Sequence, residues 1–116
     1  RIGIHINTNR CIASNCICMD CTESGFRIEG SCNNIYGNHC VDNSPDGIIV
    51  AGGYSNKISD NYIINGEGNA SDYSSSQNTI RIQSGGYNDV SDNYIRGKNY
   101  TNSGGGTNTF TNNRYQ

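Results

Sequence analysis

Asn56-Lys57-Ile58-Ser59-Asp60-Asn61-Tyr62-Ile63 and Asn88-Asp89-Val90-Ser91-Asp92-Asn93-Tyr94-Ile95 are two copies of one pattern. Its skeleton is an apolar residue, two arbitrary residues, Asn, one arbitrary residue and a second apolar residue. Reading outward, the skeleton recurs at Ile12, Asn15, Ile17 and at Ile35, Asn38, Cys40, and it closes the chain at Phe110, Asn113, Tyr115. The asparagines are 23, 23, 32 and 20 residues apart. A second pattern of alternating apolar residues precedes it in four of the units: Ile4 and Ile6, Phe26 and Ile28, Ile48 and Val50, Ile80 and Ile82. Self-similarity at such a period is the mark of a repeat fold.

Alternation with period two puts one side chain in and the next out, so each unit holds short strands between turns. So small a unit cannot bury its apolar face alone and must stack on its neighbours. Stacking equivalent strands about 4.8 Å apart gives a parallel β-helix of about five coils. Its expected inner columns are Ile4, Phe26, Ile48, Ile80; Ile6, Ile28, Val50, Ile82; Ile12, Ile35, Ile58, Val90, Phe110; and Ile17, Cys40, Ile63, Ile95, Tyr115. Asn15, Asn38, Asn61, Asn93 and Asn113 are expected to stack as a ladder. Their amides can bond from coil to coil, and Asn tolerates the left-handed backbone of a tight bend.

Composition agrees. The chain of 116 residues has no Leu or Trp and three Ala, but 19 Asn, 15 Gly, 13 Ser and 15 Ile. It lacks the best helix formers and keeps β-branched residues, which excludes helical bundles and α/β nucleotide folds. A net charge of −2 without a basic stripe leaves no footprint for nucleic acid. No apolar run reaches the roughly 18 residues of a membrane-spanning helix. One domain spans residues 1–116. Arg1 at the start, followed at once by a strand pattern, reads as a processed product or a fragment of a longer solenoid. The long third unit, between Ile64 and Thr79, and the segment Gly97–Gly106 are expected to be loops on one flank.

The repeats resemble the right-handed parallel β-helices of the pectate-lyase-like superfamily, in the Asn-rich, carbohydrate-binding and sugar-hydrolase texture found in phage tail spikes and archaeal surface proteins. The resemblance covers the whole chain and rests on the Asn56 and Asn88 segments quoted above. It implies a site on the outer face of the first strand of each coil. Two outward rows are expected there: His5, Arg27, Ile49, Arg81 and Asn7, Glu29, Ala51, Gln83. A β-elimination lyase needs a cation beside the sugar carboxylate and a base for the adjacent proton. Arg27 and Arg81 suit the first role, and His5 or Glu29 the second. A hydrolase needs two carboxylates, for which Glu29 and Asp46 are the near pair. The adjacent aspartates and Gly-His-Gly turn of polygalacturonases do not occur, nor does the aspartate cluster of a pectate-lyase calcium site. Ordinary solvated side chains, with Glu29 paired to a neighbouring cation, are the competing reading.

Tyr54, Tyr73 and Tyr87 fall in turns or loops, where exposed rings can stack on sugars. With Arg27, Arg81 and Gln83 they make the candidate carbohydrate-binding set. All six cysteines lie in the first two units. Cys40 takes an inner column as a small apolar filler. Cys11, Cys16, Cys18, Cys21 and Cys32 sit at outward or turn positions as disulfide candidates, with 15 connectivities open for six cysteines. A metal site of Cys16, Cys18 and Cys21 under His39 is the lesser alternative. No cofactor and no metal is expected. Asn69-Ala70-Ser71 and Asn99-Tyr100-Thr101 are glycosylation sequons in the loops.

Two functions follow. The first is an extracellular module, secreted, at the cell surface or on a virion, that binds or depolymerises a polysaccharide as a homotrimer. The second is a non-catalytic surface or filament protein built by head-to-tail stacking, since a solenoid end exposes unpaired backbone.

Overall fold

The computed structural model describes residues 1–65, 77–97 and 100–115. The long third unit's loop therefore lies mostly outside the described residues, as do Tyr73 and both sequon asparagines, Asn69 and Asn99. Three parallel five-stranded sheets run along a β-helix of five coils. Sheet A holds β1 (Ile2–Ile6), β4 (Ser24–Ile28), β7 (Asp46–Val50), β10 (Asn78–Ile82) and β13 (Thr101–Asn102). Sheet B holds β2 (Ile12–Ser14), β5 (Asn34–Tyr36), β8 (Lys57–Ser59), β11 (Asp89–Ser91) and β14 (Thr109–Thr111). Sheet C holds β3 (Ile17–Met19), β6 (His39–Val41), β9 (Tyr62–Asn65), β12 (Tyr94–Gly97) and β15 (Arg114–Tyr115).

Both inner columns of sheet A run in the expected register, from Ile4 through Phe26 and Ile48 to Ile80 and from Ile6 through Ile28 and Val50 to Ile82. Phe26, Ile28, Ile48, Val50, Ile80 and Ile82 are fully buried. The segment Gly97–Gly106 is not simply a loop: Thr101 and Asn102 pair with Arg81 and Ile82 as the fifth strand of sheet A. That strand has no apolar alternation to betray it. Tyr100 supplies the missing bulk by stacking on Phe110, centroids 4.0 Å apart, against the core.

Coil 1 departs from the expected columns by one residue. Ala13, not Ile12, pairs with Ile35, and Cys18, not Ile17, pairs with Cys40. Ile12 and Ile17 point outward, 69% and 68% exposed. A one-residue shift exchanges the two faces of a strand. The corner sets the phase. Asn15 is not a ladder residue; it takes the left-handed bend, with φ 56°, in a column with Gly37, Asp60, Asp92 and Asn112. The next residue in each coil carries the ladder, and in coil 1 that residue is Cys16.

From there the ladder runs as expected. The N–H of Cys16 donates to Asn38 Oδ1 at 2.9 Å, Asn38 to Asn61 at 3.0 Å, Asn61 to Asn93 at 3.0 Å and Asn93 to Asn113 at 3.1 Å. Each Nδ2 also donates to a backbone carbonyl of the preceding coil, as Asn61 does to Ile35 at 3.0 Å. A second ladder stands between sheets A and B. It starts at the Cys11 N–H and climbs through Asn33, Asn56, Asn88 and Asn108. Arg10, Cys32, Ser55 and Tyr87 precede its rungs with positive φ. A third corner repeats the device once, from the Cys21 N–H to Asn43 Oδ1 at 3.0 Å, behind left-handed Asp20 and Asp42. Buried amides are tolerated here because both ends are bonded.

Candidate functional site

The outer face of sheet A carries the expected first row: His5 is in register with Arg27, Arg27 with Ile49, and Ile49 with Arg81. Ile49 is only 2% exposed although it points outward. It lies between the two arginines, whose aliphatic stems can cover it. Ile49 and Pro45 line a cleft of about 260 Å³ together with Thr22, Glu23, Ser24, Asp46 and the two arginines.

Two ion-paired groups border this cleft. In coil 2, Arg27 Nε donates to Glu29 Oε1 at 2.8 Å, and His5 Nε2 lies 3.0 Å from Glu29 Oε2. The Arg27 hydrogen bond, then that from His5, holds the Glu29 carboxyl below its ordinary pKa. One coil further, Arg81 Nη2 donates to Asp46 Oδ2 at 2.7 Å, and Asn78 Nδ2 to Asp46 Oδ1 at 2.9 Å. Thr101 Oγ1 completes the chain by donating to Asn78 Oδ1 at 2.6 Å. Asp46 is 1% exposed, so this carboxylate is part of the wall rather than a free group. Arg81 Nε is buried without a hydrogen-bond partner among the described residues.

The structure thus joins His5 with Glu29, and Asp46 with Arg81. It attaches the two carboxylates to different cations. All four of their oxygens are engaged by side chains. Hydrolysis needs one carboxyl kept protonated beside one kept ionised, and Glu29 is shifted the wrong way to be the acid. Gln83 is exposed one residue past β10. Tyr54 bridges to Gly86, which sets Tyr54 and Tyr87 on neighbouring coils at the corner beside sheet A, 58% and 68% exposed. Sequence reasoning missed Asn78 and Thr101. Their signal was positional, since Asn78 shares the register of Asp46.

A different aromatic column crosses the outer face of sheet C. Tyr62 and Tyr94 stack at 4.7 Å and 6°, His39 meets Tyr62 edge-on at 4.6 Å, and the Arg114 guanidinium lies 5.7 Å over Tyr94. Their faces are taken up by one another, so this column offers edges rather than a sugar platform.

All six cysteines are free thiols. Cys18 is not outward as expected but buried inside, 4% exposed. His39 is not above Cys16; it pairs with Ile17 and faces Tyr62. Among the described residues no three His, Cys, Asp or Glu side chains are grouped to hold a metal ion. Nor, among them, is any helix long and apolar enough to cross a membrane.

No curated protein and no solved structure matches the chain significantly. A family match does span it. The family is described as periplasmic copper-binding protein (NosD), which supports a location in the cell envelope or outside the cell at a coarse level. That match covers residues 1–116, all five coils, and on this ground the chain belongs to the NosD family.

Proposed function

We propose that this chain is a carbohydrate-binding β-helix module that seats a sugar residue of a polysaccharide on the outer face of sheet A, and that its coils belong with the pectate-lyase-like superfamily. The observation that carries the reading is the cleft between Arg27 and Arg81, with an apolar floor at Ile49 and a buried carboxylate, Asp46, in its wall. Ligand sites combine an apolar surface with a few fixed polar groups in this way. About 260 Å³ is small for a ligand pocket and suits one ring rather than a chain. Each arginine is balanced by its own carboxylate, so the face is a hydrogen-bonding array with little net field. It favours hydroxyl-rich, weakly charged sugars over polyuronates. Tyr54 and Tyr87 stand at its border. With both carboxylates committed to arginines, the site binds without catalysis.

The copper in the family's description calls for a set of thiolate, thioether or imidazole donors. The donors here do not fit as they stand: His5 faces Glu29, His39 faces Tyr62, and no group of three converges among the described residues.

Titration calorimetry against neutral and uronate-containing polysaccharides tests the reading. Arg27→Ala combined with Arg81→Lys, which keeps a cation on Asp46, is expected to lower affinity for a neutral glycan at least tenfold, about 1.4 kcal/mol. Unchanged affinity in the folded double variant would remove the cleft from the site.

A further inference from the structure

The cysteines have no part in the sugar site. We infer that Cys18 and Cys21 form a redox-active dithiol, which a small-molecule disulfide oxidises to a disulfide within the chain. The two thiols converge on one point. A Cβ placed on Gly3 would lie 3.0 Å from Cys18 Sγ and 3.0 Å from Cys21 Sγ. Glycine at that position leaves the gap into which both side chains point. The backbone between them turns at left-handed Asp20, φ 53°. The hydrogen bonds from the Cys21 N–H to Asn43 Oδ1 and from Asn43 Nδ2 to the Cys18 carbonyl, 3.0 and 2.9 Å, hold both ends of that turn.

The two sulfurs differ in access. Cys18 is buried, and burial, followed by Cys21 and Cys16 nearby, pushes its thiol up to about 11. Cys21 is half-buried at the corner. The thiolate is the nucleophile in exchange, and access governs the first encounter. Cys21 therefore reacts first: its thiolate attacks the incoming disulfide, forms a mixed disulfide and expels one small thiolate. Cys18 then loses its proton and attacks the Cys21 sulfur, expelling the second thiolate. Two protein thiols are oxidised, and one small disulfide is reduced to two thiols. Cys40 pairs in register with Cys18 but is fully buried, out of reach of the oxidant.

Peptide mapping by mass spectrometry, after incubating the full chain with oxidised glutathione, tests this. A Cys18–Cys21 linkage two hydrogens lighter is expected, with native alkylation of Cys21 falling about tenfold. In Cys18→Ala the glutathione adduct is expected to stay on Cys21. A Cys18–Cys40 linkage, an adduct persisting on Cys21 of the unmutated chain, or no reaction at either residue would each overturn the assignment. Mapping of the unmutated chain decides the matter even if the variant fails to fold.

Discussion

Coil 1 and the interior coils meet the same geometric demands with different residues at their corners. Coils 3 and 4 place Asn56, Asn61, Asn88 and Asn93 after the left-handed bend, each about 1% exposed. Coil 1 places Cys11, Cys16 and Cys21 there. Those cysteines donate their backbone N–H upward, as the asparagines do, but among the described residues no N–H below them calls for a carbonyl. The contrast separates two requirements that the repeat merges. The left-handed bend is needed in every coil to turn the chain. The amide serves wherever a neighbouring coil presents an N–H to its oxygen.

The inner columns are expected to separate coil 1 from the interior coils most strongly. Ile58→Ala removes bulk from a fully buried position and is expected to cost about 2–5 kcal/mol. Ile17→Ala in coil 1 is expected to cost less than about 0.5 kcal/mol, as surface changes do. Urea unfolding of both variants measures the gap. Equal losses would mean that coil 1 takes the register in which Ile17 points inward.

The ladder comes next. Asn61→Ala leaves the buried Asn38 N–H without its 3.0 Å acceptor, at about 1–3 kcal/mol for an orphaned donor. Cys16→Ala keeps every backbone bond of the rung and is expected to cost under about 1 kcal/mol. Thermal unfolding is expected to separate them by several degrees. On sheet A, Arg81→Ala leaves one oxygen of Asp46 without its donor. Asp46 is 1% exposed, so the orphaned acceptor is a buried one and the loss is expected at about 1–3 kcal/mol.

Much of this was legible in the sequence, and the failures have physical causes. The five-coil solenoid, both inner columns of sheet A and the row of His5, Arg27, Ile49 and Arg81 follow from alternation, which depends only on the backbone. Ile12 and Ile17 misled because a large apolar residue reads as buried, and Ala13 and Cys18 do not advertise the core. The ladder at Asn33, Asn56, Asn88 and Asn108 was hidden because the residue before each rung varies in type, from Cys32 and Ser55 to Tyr87, and shares only its left-handed φ. The pairing of Asp46 with Arg81 spans 35 residues and needs the register itself.

The smallest effect separates the sheet A surface from the corners by its dependence on pH. Arg27, and after it His5, holds the Glu29 carboxyl below its ordinary range. A lowered folded-state value means that the unfolded chain takes up the proton first on acidification. The stabilisation is then complete above the ordinary carboxylate range and fades as pH falls through it toward the lowered value. Glu29→Gln is expected to melt slightly below the unmutated chain at neutral pH, and the gap is expected to close in acid. The Asn61→Ala gap has no such slope, because no group in that ladder titrates. Melting curves of the three proteins across the acid range read both at once. A Glu29→Gln gap that stayed constant with pH would mean that the Arg27 pair contributes through packing rather than charge.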